Sequence, residues 1–164
     1  MDIRIAVPDD IQIIVDLAVA FRDHLQRARP SNEEFLASVG RLVDSPDAEF
    51  YIAIRDGTSV GYVLQRFRYS MWASGIEATI EDLFVDPAER GQGIGRLLIQ
   101  YALGRARERG CTTVCLDTNE NNAASTRIYG RLGFEAFSKR WNGRQVFYRL
   151  ALDSSPTGGS TQNA

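Results

Sequence analysis

The sequence predicts a mixed α/β sandwich. Two observations carry the prediction: strand-like and helix-like patterns alternate along the chain, and a hairpin signal, Asp56-Gly57, joins two strand-like runs near the middle. With 164 residues, 44% of them hydrophobic, the chain can bury one substantial core. Residues 1–152 are therefore expected to form a single domain, without internal repeats. Residues 153–164, mostly Ser, Thr, Gly, Asn and Gln, have little to bury and are expected to be a disordered tail.

Taken in order, Ile3, Ile5 and Val7 alternate with polar or small neighbours as a first strand that Pro8 ends, and Asp9-Asp10 then cap a helix carrying Ile11, Ile14, Val15, Leu17, Ala18 and Phe21. Pro30-Ser31-Asn32 breaks the pattern. A second helix, opening at Glu33-Glu34, presents Phe35, Leu36, Val39 and Leu42 until Ser45-Pro46. Residues 50–54 and 60–67 read as the two hairpin strands, and 77–85 as the fourth strand. Tyr69, Met71 and Trp72 fall on the connection between the third and fourth strands, where exposed aromatics serve either recognition or loop packing. A helix begins at Ile94 with Leu97, Leu98, Tyr101, Ala102 and Ala106 at helical spacing and stops at Gly110. A fifth strand, 112–117, leads into a further helix on which Asn122, Ser125 or Thr126, Tyr129 and Gly133 share a face. Residues 134–138 and 145–151 are expected to close the domain as two more strands around Trp141-Asn142-Gly143.

Bulk properties exclude several classes. A net charge of −2 with no basic run gives no reason to expect nucleic acid, and slightly favours cationic small molecules. No stretch approaches the roughly 20 apolar residues of a membrane span, and the start Met1-Asp2-Ile3-Arg4 lacks a signal pattern, so a soluble cytoplasmic protein is expected. Cys111 and Cys115, four apart on one strand, are too distant to bridge, and with the lone His24 they form no metal site of usual spacing.

The most informative stretch runs from Asp82 to Ile99. Asp86-Pro87 ends the fourth strand, and Gly91, Gly93 and Gly95 let the backbone bend tightly into a helix start. Free N–H groups there, with about half an elementary charge from the helix dipole, make the backbone of Arg90, Gly91, Gln92, Gly93, Ile94, Gly95 and Arg96 an anion cradle flanked by two full positive charges. A phosphate or pyrophosphate is the expected occupant. The dinucleotide fingerprint G-x-G-x-x-G fails, because Arg96 or Leu98 falls at the third glycine position, and no nucleoside-triphosphate loop is present. A glycine-rich turn without a ligand is the competing reading.

Arg90-Gly91-Gln92-Gly93-Ile94-Gly95 resembles the R/Q-x-x-G-x-G/A pyrophosphate loop of the GNAT superfamily of acetyl-CoA-dependent N-acetyltransferases. The run from Asn122 to Phe134 resembles the family's second signature, N-x-x-A-x-x-x-Y-x-x-x-G-F, with Ser125 where alanine is commoner. The resemblance spans about residues 3–151. It implies a mostly antiparallel, seven-stranded sheet with a splayed central pair, flanked by about four helices, and acetyl-CoA as the cofactor. It also implies that Leu83, Phe84 and Val85 pair with the pantetheine amides as an added strand, that an N–H near Val85 polarises the thioester carbonyl, and that Asn122, Ser125 and Tyr129 meet the cofactor from the facing helix.

An alkylamine with a pKa near 10.4 is neutral in only about one molecule in a few thousand at pH 7, so transfer needs a proton acceptor. Glu81, near the end of the strand that feeds the loop, is the expected base, and the resemblance aligns it with the acidic residue nine positions before the loop arginine that often serves as base. Asp82 and Glu77 are alternatives, since strand neighbours face opposite sides unless a bulge intervenes. Tyr129 is the expected acid for the departing sulfur. Direct transfer in a ternary complex is expected, with Cys111 or Cys115 as nucleophile a minor alternative. Glu77, Glu81 and Asp82 together with Tyr69 and Trp72 suit a small cationic amine, polyamine-like or aminoglycoside-like, by charge pairing and cation–π contact. A peptide or protein amine is one alternative acceptor. An acyl-CoA-binding sensor module and a structural dimerisation domain are alternative roles, and the C-terminal strands are placed to support a homodimer.

Overall fold

The computed structural model describes residues 1–138 and 141–151. They divide into two units, the first being Met1–Phe134 and the second starting at Glu135.

The first unit is a five-stranded sheet in the order β1 (Asp2–Ile5), β2 (Ala48–Arg55), β3 (Thr58–Ser70), β4 (Gly75–Val85) and β5 (Thr113–Leu116). Neighbours from β1 to β4 are antiparallel, and β5 lies parallel to β4. That parallel step requires a crossover, which α3 (Ile94–Glu108) supplies. The turn between β2 and β3 forms at Asp56-Gly57, both with positive φ, as a two-residue hairpin connection demands.

Each face of the sheet carries its own core. α1 (Ile11–His24) and α2 (Asn32–Val43) bring Ile14, Leu17, Ala18 and Val39 against Phe50, Ile52, Tyr62, Leu64 and Phe84. On the other face Ile94, Leu98, Ile99 and Ala102 of α3 meet Tyr51, Ala53, Val63 and Ile80, and Tyr129 joins them from α4 (Ala123–Arg131). α3 is further tied down at its C-terminal end. Glu49 of β2 accepts from Arg105 (3.0 Å), Arg109 (2.9 Å) and the Tyr51 hydroxyl (2.7 Å), and the Arg109 guanidinium lies 4.0 Å over the Phe67 ring. Burial pushes the Glu49 carboxyl up, but these three donors outweigh it and hold the group below its ordinary value. The Tyr51 oxygen is also 2.6 Å from the Gln65 amide. A phenol has one proton, so turning that amide to present its nitrogen gives a donor role to the otherwise orphaned buried Gln65 nitrogen.

Two helix starts follow different chemistry. Ser31, read from sequence only as part of a break, caps α2 in a capping box with Glu34. Asp10 precedes α1 but does not cap it. Its carboxylate instead accepts from both terminal nitrogens of Arg4 (2.6 and 2.7 Å) and from the Val7 amide (2.8 Å), because a bidentate charged pair outcompetes a neutral cap.

The expected seven-stranded sheet is not formed among the described residues. Residues 137–138 and 143–144 make a separate two-stranded pairing, β6 (Phe137–Ser138) with β7 (Gly143–Arg144). The strand expected over 145–151 is absent: 145–150 carry no regular structure, and Val146, Phe147, Tyr148 and Leu150 are exposed. Aromatic and β-branched content fits a pleated surface but does not by itself supply a partner strand. The third strand also runs further than expected, so Tyr69 lies in β3 and not in a loop, paired with Ile76. The expected tail, 153–164, lies outside the described residues.

Asp10 is nearly buried, and Arg4 holds its carboxyl below the ordinary range. A depressed carboxyl stabilises the fold above the unfolded value near pH 3.9, and that contribution is lost as pH falls through the lower folded value. Asp10→Asn is expected to cost about 2 kcal/mol in urea unfolding at pH 7, with Arg4 still partly solvated, and to narrow the gap to wild type below about pH 4.

Candidate active site

The site starts from an irregularity in β4. Leu64 pairs with Asp82 and Gln65 with Ile80, so Glu81 has no partner of its own and forms a bulge. One extra residue reverses the alternation of side chains. Ile80 packs in the α3-side cluster, and so do Leu83 and Val85, whereas Phe84 packs in the α1/α2-side cluster. Asp82 therefore shares the α1/α2 face with Phe84. Glu81 shares it too, reaching to 3.9 Å from Arg66 of β3. The expectation that only one of the two acids can face a substrate is thus replaced by a bulged pair.

Their surroundings differ. Glu81 is about half exposed at 46%, and its charge is partly met by Arg66. Asp82 is partly buried where the apolar cluster ends, between Leu64 across the strands and Phe84 along its own, with the Tyr62 hydroxyl 3.5 Å away as donor. Burial raises the Asp82 carboxyl above its usual range, the Glu81 charge adds to that, and Tyr62 works against it. Among the described residues no cation forms an ion pair with Asp82. Glu77, the third acid, pairs with Arg68 at 3.1 Å and lies further down the strand. Tyr69 and Trp72 are not brought to the pair. Tyr69 sits opposite Ile76, five residues from Glu81 and so roughly 16 Å away at the rise of a strand, and Trp72 is in the turn beyond.

The gap beside β4 is equally specific. β5 pairs with β4 only from Glu77 to Ile80, and Glu81 to Val85 run on without a β5 partner. β5, the last strand of the sheet, ends at Leu116, which leaves backbone on that edge of β4 for another extended group.

At the end of β4 the chain passes into the glycine loop. Gly91 and Gly93 have φ near +80°, and Gly93 is the N-cap of α3. A Cβ on either would meet nothing within 4 Å, so both are glycine for backbone conformation and both face open space. The first-turn amides of α3 have no intrahelical acceptor and point outward. Gly95 differs: its α-carbon is packed toward Ile128, Val85 and Leu83, which brings α3 close to β4 and α4. Arg90 donates to the Val85 carbonyl (3.0 Å) and lies 3.2 Å from the His24 ring, contacts that fix the loop's first residue. Gln92 is held by Glu89 and Arg55. Arg96 is exposed on the first turn.

α4 packs beside this end of β4, with Ile128 and Tyr129 in one cluster with Leu83 and Val85. Asn122 is its N-cap and accepts from the Ser125 amide at 3.2 Å. Tyr129 is 9% exposed, edge-on to Phe134 at 5.8 Å between ring centres, in the same cluster as Leu83 and Val85. Burial raises its phenol above the ordinary value, with Ser125 opposing and Asp117 adding. Tyr129 and Asp82 therefore belong to opposite faces of β4, at the stretch where β5 has parted from it.

Residues 15–134 match the acetyltransferase (GNAT) family, and the chain belongs to it. It is 35% identical over 135 residues to a mycothiol acetyltransferase of Thermobispora bispora, covering 80% of this chain and 43% of that protein. With the streptothricin acetyltransferase of Streptomyces lavendulae it shares 37% over 92 residues, 56% of this chain and 47% of that one. The chain thus spans less than half the length of these curated relatives. Among solved structures, aminoglycoside N-acetyltransferase AAC(6')-Iy in complex with CoA superimposes with a TM-score of 0.74 at 25% identity, covering 92% of this chain and 95% of the other.

Tyr62, Arg66 and His24 were not candidates from sequence. Tyr62 and Arg66 reach the carboxylates only through pairing across β3, and His24 meets Arg90 from 66 residues away. Gly93→Ala is expected to force an alanine into the left-handed region at about 1–2 kcal/mol, lowering the melting temperature and weakening CoA binding in isothermal titration.

Proposed function

We propose that this chain is an N-acetyltransferase that moves an acetyl group from acetyl-CoA to a small cationic amine, by direct attack in a ternary complex. The observation that carries the reading is the edge of β4 left without a β5 partner at residues 81–85, with a pair of carboxylates on one face of β4, a buried phenol on the other and an open glycine cradle at the end. Family membership supports acetyl-CoA as donor, and a structural relative in complex with CoA supports the same cofactor.

The residues fit that donor. Backbone amides from Gly91 to Arg96 would hold the pyrophosphate, with Arg90 and Arg96 adding charge. The unpaired edge at Leu83, Phe84 and Val85 would accept the pantetheine amides as an added strand, and an N–H there would polarise the carbonyl under attack. Asn122 and Ser125 would line the opposite wall. When bound, acetyl-CoA supplies a thioester-activated acetyl group and a thiol leaving group. Glu81 and Asp82 would draw the ammonium to the gap, and one of the two would take its proton, leaving a neutral nucleophile. Tyr129, kept protonated by its burial, would donate from Oη to the departing sulfur. Glu77 adds negative charge further along the strand, whereas Tyr69 and Trp72 are too distant to touch the reacting amine and would meet only an extended acceptor.

The named activities of relatives, on streptothricin and on aminoglycosides, support an amine-bearing small molecule over a peptide. Thiol release from acetyl-CoA, followed over aminoglycosides, polyamines, amino sugars and lysine peptides, tests the reading. Turnover is expected with a small cationic amine. Tyr129→Phe is expected to lower kcat about 10–100-fold while CoA affinity stays within a few-fold. Preference for peptides would move the acceptor class, binding of acetyl-CoA without turnover would support a sensor, and absence of both would overturn the proposal.

A further inference from the structure

We propose that Asp82 is the proton acceptor of the bulged pair and that Tyr62 is its positioning residue, leaving Glu81 to steer the incoming cation. The inference deepens the proposed transfer reaction and rests on it. Four observations support the division of labour.

First, the bulge gives the two acids one face but different depths. Glu81, the extra residue, projects to solvent at 46% exposure, while Asp82 is paired across the strands with Leu64 and lies beside the Tyr62–Phe84 cluster. Second, the charges are met differently. Arg66 stands 3.9 Å from Glu81, Arg68 stands 3.1 Å from Glu77, and no described residue forms an ion pair with Asp82. A carboxylate left without a cation at the border of a core is costly unless a ligand's charge completes it. Third, Tyr62 is 2% exposed and held by aromatic neighbours, with ring centres 6.3 Å from both Phe50 and Phe84. Its hydroxyl has Asp82 Oδ2 as its partner, at 3.5 Å. A ring so confined can place one donor against one carboxylate oxygen, leaving the other oxygen for the amine. Fourth, Asp82 is one residue from the start of the stretch 83–85, the edge on which the acetyl group would lie.

The balance is simple. One substrate ammonium N–H bond breaks and its proton passes to Asp82. The freed lone pair forms the bond to the acetyl carbon as the carbon–sulfur bond breaks and the sulfur takes the Tyr129 proton. The acylated nitrogen then gives its second proton to the Tyr129 phenolate, and Asp82 releases the first to water. Burial favours the neutral acid and so raises the proton affinity of Asp82 toward that of its substrate, Glu81 raises it further, and Tyr62 lowers it. Opposite signs follow for the two neighbours. Removing the Tyr62 hydroxyl raises the carboxyl's pKa, and removing the Glu81 charge lowers it.

The test is the pH profile of kcat/KM for the amine in wild type, Asp82→Asn, Glu81→Gln and Tyr62→Phe, with CoA affinity and melting temperature measured on each. Carbon-13 titration of the Asp82 carboxyl provides a readout independent of turnover. Asp82→Asn is expected to lose 100-fold or more at pH 7 while still binding CoA. Tyr62→Phe should move both the acidic limb and the carbon-13 midpoint to higher pH, and Glu81→Gln should move both lower, with KM for the amine raised and kcat held within a few-fold. If wild type acetylates an amine but Asp82→Asn keeps its rate, or Glu81→Gln loses as much as Asp82→Asn, the assignment is overturned and the transferase reading survives. If Tyr62→Phe leaves the acidic limb and the carbon-13 midpoint in place, or moves them in the same direction as Glu81→Gln does, Tyr62 has no positioning role. Failure of wild type on every amine overturns the transferase reading itself.

Discussion

One register slip in β4 determines what the sheet can present. Side chains on a strand alternate strictly, so an unbroken β4 would place Glu81 and Asp82 on opposite faces. The bulge at Glu81 costs one ladder pairing. In return both carboxylates stand on the α1/α2 face, while Leu83 and Val85 swing to the α3 face and pack beside Tyr129. The same few residues are where β5 has already left the sheet, so the disturbance falls where backbone is free to serve a ligand.

The glycine loop depends on a firm support. α3 must point its N-terminus at one place, and two contacts fix it: the close approach of Gly95 to β4 and α4 at one end, and the Glu49 clamp on Arg105 and Arg109 at the other. Glu49 is worth little as an isolated pair after desolvation, but three donors on one carboxylate give it a single geometry. Helix and sheet are thereby joined through charged groups at the far end from the cradle, where water is excluded only in part.

Much of this was legible in the residues. Gly91 and Gly93, followed by Ile94 and Leu98 at helical spacing, specify a turn into a helix, and the left-handed conformations of both glycines bear that reading out. Asp56-Gly57 likewise forms the turn it suggests. What was not legible depends on partners far away in sequence. Nothing local marks Glu81 as a bulge, because the slip is a relation between β3 and β4. Tyr62 reads as one more core aromatic until pairing sets it near Asp82. Asp9-Asp10 reads as a helix cap, and only the proximity of Arg4 diverts Asp10 to an ion pair. Residues 145–150 look like a strand by composition, and a strand without a partner is not one.

The opposite placement of Asp82 and Tyr129 about β4 bears on how two reactants would share this site. In a one-mouthed pocket, whichever molecule enters first blocks the other, and steric order becomes kinetic order. Here the carboxylates open toward the α1/α2 face, while the phenol and the glycine cradle belong to α4 and α3 on the reverse face. Donor and acceptor would meet across the edge of β4 that β5 leaves free, each with its own approach. Neither would have to wait for the other to leave.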